Sequence, residues 1–254
     1  MMLMTTDMTA VRPWSLAICV LAFGVLCARA ELRRWTHASG QSIEAEYVSL
    51  TLSDEVVLRN SDGNEVKVPV KELSDEDRDY LLLQNPPELT IEFSDSSRVD
   101  TLESSIRFQS NPSVTEEIIQ FSLRIKQANR KDYPFELTVE YFAIGYQYLD
   151  QDKYVLITKG KDDFVLNEEN NRSVELSSKE IHLPLEFTLE TNHYGRKYCA
   201  YIVLITDQRG ELIAYRSSKN WLFDHREALS ELPVGAFFDD TCTRRHASQP
   251  KLYY

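Results

Sequence analysis

Short segments in which apolar and polar residues alternate recur along most of this chain, and they restrict the folds available to it. In the clearest example, Phe121, Leu123 and Ile125 alternate with polar residues. A period of two places the apolar side chains on one face of a strand and the polar ones on the other. Turn signals separate these segments and long helical patterns do not interrupt them, so the sequence predicts an all-β protein.

A diproline at Pro86-Pro87 divides the pattern into two parts. Before it, residues 31–85 contain four short strand signals, an Asp62-Gly63 hairpin signal and a short helix that starts after Ser74. Strongly bent short strands in about 55 residues predict a small SH3-like barrel. The strands are expected at Leu32–Thr36, Ile43–Val48, Val56–Leu58 and Val66–Val68.

The second part, residues 88–240, is expected to form an immunoglobulin-like antiparallel β-sandwich. Residues 198–206 are almost all apolar, which predicts a central strand buried on both faces. Residues 220–232 favour a short helix, and residues 241–254 lack a period and are expected to form a loose tail. We predict strands at Glu88–Phe93, Ser105–Gln109, Glu116–Lys126, Phe135–Ile144, Tyr154–Thr158, Asp163–Leu166, Ser173–Leu176, Glu186–Glu190, Tyr198–Thr206 and Glu211–Arg216.

An uncharged apolar run lies near the N-terminus, from Trp14 to Cys27, and Ala28-Arg29-Ala30 follows it. The run is short for a membrane span, and small residues stand at both positions that a signal peptidase reads. Residues 1–30 are therefore predicted to be a signal peptide, with export to the periplasm, envelope or exterior and no membrane span after cleavage. A retained anchor and lipidation at Cys27 are the alternatives.

Cleavage after residue 30 would leave two of the four cysteines, Cys199 and Cys242. In an oxidising compartment these two thiols can pair as a disulfide. The alternative is two unpaired cysteines, with Cys199 buried in its apolar strand. The sequence leaves both interpretations open because it gives no Cα separation.

The first part also contains a series of short motifs in a fixed order. They are an R-x-W opening, a Ser-Gly turn, an E-A-E-[FY]-V strand, a [DN]-G hairpin, a V-x-V-P strand and an L-S-x-E-D-x-x-Y helix. These elements occur at Arg33, Trp35, Gly40, Glu44-Ala45-Glu46-Tyr47-Val48, Gly63, Val66, Val68-Pro69, Leu73-Ser74, Glu76-Asp77 and Tyr80. In this series the first part resembles a known family, the SLA-one homology domain. Exported proteins of planctomycete- and verrucomicrobia-type bacteria carry this domain after a signal peptide, and this chain is similar to them.

The resemblance implies a peptide- or protein-binding role for the barrel. In a fungal endocytic adaptor the family domain binds Asn-Pro-Phe-x-Asp peptides, and eukaryotic members carry a lysine two residues after the hairpin glycine. Here that position is Glu65, whose carboxylate would repel the aspartate of such a peptide, so a different ligand is expected. Trp35 and Tyr47 are candidates for aromatic residues of the binding groove, and each is equally a candidate for the barrel core.

The net charge disfavours nucleic-acid binding, and the motif search disfavours catalysis. A formal net charge of −12 disfavours nucleic acid as a partner. The five histidines are scattered, and no metal-binding, phosphate-binding or nucleophile motif stands out, so we expect no enzymatic activity, no cofactor and no metal. The acidic pairs Glu168-Glu169 and Asp239-Asp240 are interpreted as solvated surface.

Three functions remain to be compared. The first is a non-catalytic binding or structural role through protein contact, with an unknown protein or peptide ligand at the barrel. The second is carbohydrate or cell-wall binding by exposed aromatic residues of the sandwich, for which Tyr146, Tyr148 and Trp221 are the candidates. The third is a hydrolase assembled from distant carboxylates, which requires a pocket where two of them converge.

Overall fold

The computed structural model describes residues 32–102, 114–129, 132–147, 150–189 and 192–246. Two compact units divide between Ser74 and Asp75, and each is described by itself below. The signal peptide predicted for residues 1–30 and the strand predicted at residues 105–109 lie outside the described residues. Side chains are described for most, though not all, of the residues in the strands.

The first unit is a four-stranded antiparallel sheet in the order β1-β2-β3-β4. Its hairpins turn at the predicted places, where Gly40 and Gly63 have φ angles of +89° and +83°. These values are accessible to glycine at little cost because it has no Cβ. The strands are Arg33–Thr36 (β1), Ser42–Leu50 (β2), Glu55–Asn60 (β3) and Glu65–Pro69 (β4).

Backbone contacts join the two ends of this sheet. After β4, a 3-10 turn at Val70–Glu72 leads the chain back to the end of β1. There His37 and Leu73 form an antiparallel bridge, and the Ser74 amide donates to the Thr36 carbonyl at 2.8 Å. The curled sheet is thereby joined at its two ends, which is the architecture that the SH3-like prediction requires.

The second unit begins with helix α1 (Asp75–Gln84), whose first turn carries Asp75, Glu76 and Asp77, where carboxylates complement the helix dipole. Two antiparallel sheets follow, one in the order β11-β10-β6-β5 with β9 also paired to β6, the other in the order β13-β12-β7-β8-β14-β15. The strands are Leu89–Leu102 (β5), Val114–Gln127 (β6), Tyr133–Gln147 (β7), Asp150–Leu166 (β8), Ser173–Ser177 (β9), Ile181–Leu189 (β10), Asn192–Tyr194 (β11), Arg196–Asp207 (β12), Leu212–Ser217 (β13), Phe237–Phe238 (β14) and Arg244–Arg245 (β15).

Strand β12 is buried on both faces, as residues 198–206 predicted. Val203 and Ile205 belong to a cluster that packs the two sheets together. Ile202 and Leu204 belong to a second cluster, on the opposite face, that includes residues of two short helices, α2 (Asn220–Asp224) and α3 (Arg226–Glu231). The six-stranded sheet is therefore the middle layer of three.

The all-β prediction is confirmed, and the structure adds details that the alternation pattern missed. The two strands predicted at residues 154–158 and 163–166 are one continuous strand, β8. The chain is also ordered beyond residue 240, because β15 pairs with β14 and the intervening Cys242 is only 3% exposed. The expectation of a loose tail is therefore wrong for residues 241–246.

The turn between β12 and β13 is organised by a buried carboxylate. The Asp207 side chain is 1% exposed and accepts hydrogen bonds from the backbone amides of Arg209 and Glu211, at 2.9 and 3.0 Å. It also accepts the Arg209 Nε at 2.8 Å, and the Arg209 Nη2 donates to the carbonyl of Leu83 at the end of α1. Asp207 thus satisfies three donors and fixes the residue that contacts α1.

Replacing this carboxylate should destabilise the second unit. We expect Asp207→Ala to lower the free energy of unfolding by about 3 kcal/mol, because three donors lose a buried acceptor. Chemical denaturation followed by circular dichroism measures the change. Gln208→Ala, in the exposed part of the same turn, is the control and should change stability by less than about 0.5 kcal/mol. Equal effects of the two substitutions would contradict the role given to Asp207.

Candidate functional site

Two cross-strand rows cross β2, β3 and β4 in the first unit. Tyr47, Leu58 and Val66 face one another in register and form the apolar row. The neighbouring set forms the ionic row, which consists of Glu46, Arg59 and Glu65. Because side chains alternate along each strand, the two rows lie on opposite faces of the sheet.

The apolar row is only partly covered. Leu58 is 1% exposed, whereas Val66 is 44% exposed and Tyr47 is half-buried. Ile43 lies on the same face, opposite Trp35 in the β1–β2 pair, and is also 44% exposed. This face of the curled sheet therefore presents apolar surface at its margin. An apolar side chain of a ligand can pack against that surface and be removed from water.

The predicted groove aromatics, Trp35 and Tyr47, occupy different environments. Trp35 is 1% exposed, and its indole Nε1 donates to the buried carbonyl of Ala45 at 3.0 Å. This burial favours the core interpretation for Trp35. Tyr47 packs beside it, with 6.4 Å between the ring centroids, and keeps part of its surface accessible. Of the two rings, Tyr47 is the one that can contact a ligand.

Glu65 is exposed and paired within the ionic row. The Arg59 Nη2 donates to Glu65 Oε1 at 2.8 Å, and Arg59 Nη1 lies 3.9 Å from Glu46 Oε1. The hydrogen bond with Glu65 raises the pKa of Arg59 above its usual value, so the guanidinium stays charged. Two carboxylates against one guanidinium leave this row with an excess negative charge. An acidic ligand is therefore disfavoured on this side of the sheet.

Sequence reasoning did not select Val66 and Ile43 as surface residues. Their place in the alternation puts them on the core face, and that assignment is correct. Their exposure depends on how far the curled sheet covers its own inner face. No local sequence pattern predicts this exposure, because it depends on how all the strands of the unit pack together.

The two cysteines of the second unit are free thiols in this structure. Cys242 belongs to the cluster between β12 and the helices, and Cys199 packs against that same cluster. Burial raises the pKa of each thiol to about 11. The sequence placed them 43 positions apart, and the fold brings both to one core. Disulfide pairing stays a prediction.

The structure places one carboxylate of each acidic pair in a specific contact. Glu168 and Asp132 bind the same guanidinium, that of Arg172, at 3.0 and 3.1 Å, beside an open hollow of about 480 Å³. Asp239 accepts the amides of Thr241 and Thr243, and the hydrogen bonds to its carboxylate lower its pKa to about 2. Asp239 therefore holds the β14–β15 turn instead of being simple solvated surface.

Two further observations concern metal binding and membrane spans. Among the described residues, no group of three or more His, Cys, Asp or Glu side chains has an arrangement that would hold a metal ion. In the same ranges no helix combines the length and the apolar composition needed to cross a membrane.

The aromatic residues proposed for carbohydrate binding do not stand out as a platform. Trp221 packs against the helix-side cluster with its ring 4.8 Å from that of Tyr154, Tyr146 is half-buried, and Tyr148 lies outside the described residues. The structure instead exposes Tyr215, at 50%, with its ring stacked on Phe223 at 3.8 Å. No local pattern indicates this pair, because Tyr215 belongs to a strand and Phe223 to a helix.

Comparison with known proteins identifies the first domain. Residues 27–85 match the model of the family described as SLA1 homology domain 1, SHD1. The chain therefore contains an SHD1 domain, as the resemblance of its motifs predicted, and the match covers less than a quarter of the 254 residues. It extends through α1, whereas the division into compact units falls before that helix.

Comparison with solved structures gives only a weak likeness. A crystal structure from the bacterium Akkermansia muciniphila is similar at 12% sequence identity, over 53% of this chain and 73% of that chain, with a TM-score of 0.25. A likeness at that TM-score does not establish a shared architecture. Comparison with curated proteins found no match.

The hydrogen bond of Trp35 allows a stability test of the barrel core. We expect Trp35→Phe to lower the free energy of unfolding by about 1–3 kcal/mol, because the Ala45 carbonyl loses its buried donor while most of the aromatic volume remains. Denaturation followed by circular dichroism measures it. Leu52→Ala, at a fully exposed position of the β2–β3 turn, is the control. A loss no larger than that of the control would argue against a core role for Trp35.

The thiols of Cys199 and Cys242 should resist alkylation in the folded protein. At pH 8 a pKa of about 11 keeps them almost fully protonated, so we expect labelling by iodoacetamide to be about a hundredfold slower than in the unfolded chain. Peptide mapping by mass spectrometry measures each site separately. If the unfolded chain is labelled only after reduction, the two thiols are paired in a disulfide. Rapid labelling of both thiols in the folded chain would contradict their burial.

Proposed function

We propose that this chain is an exported, non-catalytic protein that binds a peptide or protein partner through its SHD1 barrel. Membership of the SHD1 family supports a binding-type role for this domain. The observation that carries the proposal is the partly exposed apolar row, in which Val66 is 44% exposed and Tyr47 is half-buried beside a fully packed core. Apolar surface of this kind next to charged residues is typical of protein contact sites.

The charges around the barrel indicate which ligands fit. The ionic row has two carboxylates and one guanidinium, and Glu65 stands beside Val66 in β4. The ionic row lies on the opposite face from the apolar row, so the repulsion of an acidic peptide comes from the net charge of −12 on the whole chain. The ligand that fits is therefore a segment with an apolar side chain, for contact with Tyr47 and Val66, flanked by neutral or basic residues.

Export is the part of the proposal that rests on sequence. The apolar run from Trp14 to Cys27 and the Ala28-Arg29-Ala30 sequence after it have the organisation of a cleaved signal peptide. Export would give the barrel a partner in the periplasm, in the envelope or outside the cell. It would also expose Cys199 and Cys242 to an oxidising compartment.

A second candidate function is glycan binding by the second unit. The observation that favours it is the exposed Tyr215, which Phe223 holds flat by stacking, while the Arg226 guanidinium lies 4.7 Å from the centroid of the Phe223 ring. A rigid exposed ring offers an apolar face with a polar edge, which suits a sugar ring. This surface and the apolar row belong to different units, so substitutions separate the two functions.

Selection of peptides on the purified full chain tests the main proposal. Selected peptides are expected to be apolar and neutral or basic. Val66→Lys should raise their Kd about tenfold or more, because it places a charge in the apolar row. Leu52→Lys makes the same change at an exposed leucine outside the row and should leave the Kd unchanged.

Two outcomes would contradict this assignment. Unchanged peptide binding by the Val66→Lys protein would move the binding site away from the apolar row. Binding of glycans on an array, lost in Tyr215→Ala and retained in Val66→Lys, together with no selected peptide, would replace the main proposal by the second one. Fluorescence anisotropy with labelled ligands gives the dissociation constants in both cases.

A further inference from the structure

Among the described residues, no strand pairs with the outer edge of β5, over half the length of the strand. It pairs with β6 in unbroken register, from Leu89 opposite Gln127 to Leu102 opposite Val114, and it is the terminal strand of its sheet among the described residues. All side chains from residue 94 to residue 100 are exposed. The backbone donors and acceptors that point away from β6 along this stretch are therefore available for pairing with another strand.

The contact of Ile91 shows which residues direct their backbone groups outward. The Ile91 carbonyl accepts a hydrogen bond from the Arg216 guanidinium of β13, so it points away from β6. In an antiparallel pair the outward residues alternate with those bonded to the neighbouring strand. Because the register with β6 has no shift, the outward positions are 91, 93, 95, 97 and 99. Ser97 and Val99 thus present both N–H and C=O at the open edge.

Charged residues on an edge strand normally prevent pairing, but here their order is self-complementary. An antiparallel pair of two β5 strands with a two-fold axis at Val99 sets Arg98 of each chain opposite Asp100 of the other. With this axis, position 97 of one chain faces position 101 of the other. Residues whose backbone groups point outward therefore face each other and can form hydrogen bonds between the two strands. An axis at Arg98 or at Asp100 instead sets like charges opposite each other, and an axis at Ser97 forms no ion pair.

We propose that a second copy of this chain docks on this edge, by antiparallel pairing of β5 with β5 about a two-fold axis at Val99. Val99 is 58% exposed and meets the partner's Val99 at the centre of the contact. Both nitrogens of the Arg98 guanidinium fork are held by Glu180, at 2.8 and 3.0 Å, which orients it on the sheet face near Asp100. Such a contact is isologous and closes as a dimer.

A proline at the axis tests the backbone pairing. The Val99 N–H is outward and makes no bond to β6, so Val99→Pro removes the donor at the centre of the contact and is tolerated by an edge strand. Sedimentation velocity over a concentration series of the full chain should show a monomer–dimer equilibrium that this variant loses, with an unchanged circular dichroism spectrum. Val99→Thr keeps the N–H and should keep the dimer.

A charge exchange tests the register. Arg98→Asp and Asp100→Arg should each raise the dimer Kd about tenfold or more, because both ion pairs become like-charge contacts. An equimolar mixture of the two variants should form a heterodimer, since every charge then faces its opposite, and the double variant R98D/D100R should dimerise again. A wild-type chain that stays monomeric, a dimer that survives Val99→Pro, or a mixture no more dimeric than its components would overturn the proposal.

Discussion

The second unit depends on the burial of β12 on both of its faces. Val203 and Ile205 require the five-stranded sheet on one side, and Ile202 and Leu204 require the helices α2 and α3 on the other. A strand with apolar side chains on both of its faces exposes a large apolar area to water if either neighbouring layer is missing. The three layers therefore meet at one sequence segment, and the buried Cys242 and the partly buried Cys199 belong to the helix-side layer.

The barrel has far fewer residues than the second unit, and its stability depends on a small core. Its core is filled by Trp35, which satisfies its polar atom through the Ala45 carbonyl, and the sheet is joined where His37 meets Leu73. A small curled sheet has little material with which to cover its own margin. Val66 and Tyr47 consequently keep accessible surface, and this surface is what makes a binding role physically reasonable.

Much of the fold was predictable because it depends on neighbouring residues. The alternation in β6, the Asp62-Gly63 hairpin and the start of α1 after Ser74 all appear where the sequence placed them. Features that were missed depend on distant residues: β8 runs unbroken because β7 pairs along its length, and β15 forms because Asp239 organises the turn before it. Such partners leave no periodic signal.

The sequence by itself determined the β class, the SHD1 domain and the negative charge of the chain. Each of these follows from local periodicity, composition or ordered motifs. Only the tertiary structure decided that Trp35 is core while Val66 is surface and that Glu65 pairs with Arg59. It also decided that β5 is the terminal strand of its sheet within the part of the chain that the structure describes. The reason is physical: periodicity assigns a side chain to a face, but the packing of distant segments decides whether anything covers that face.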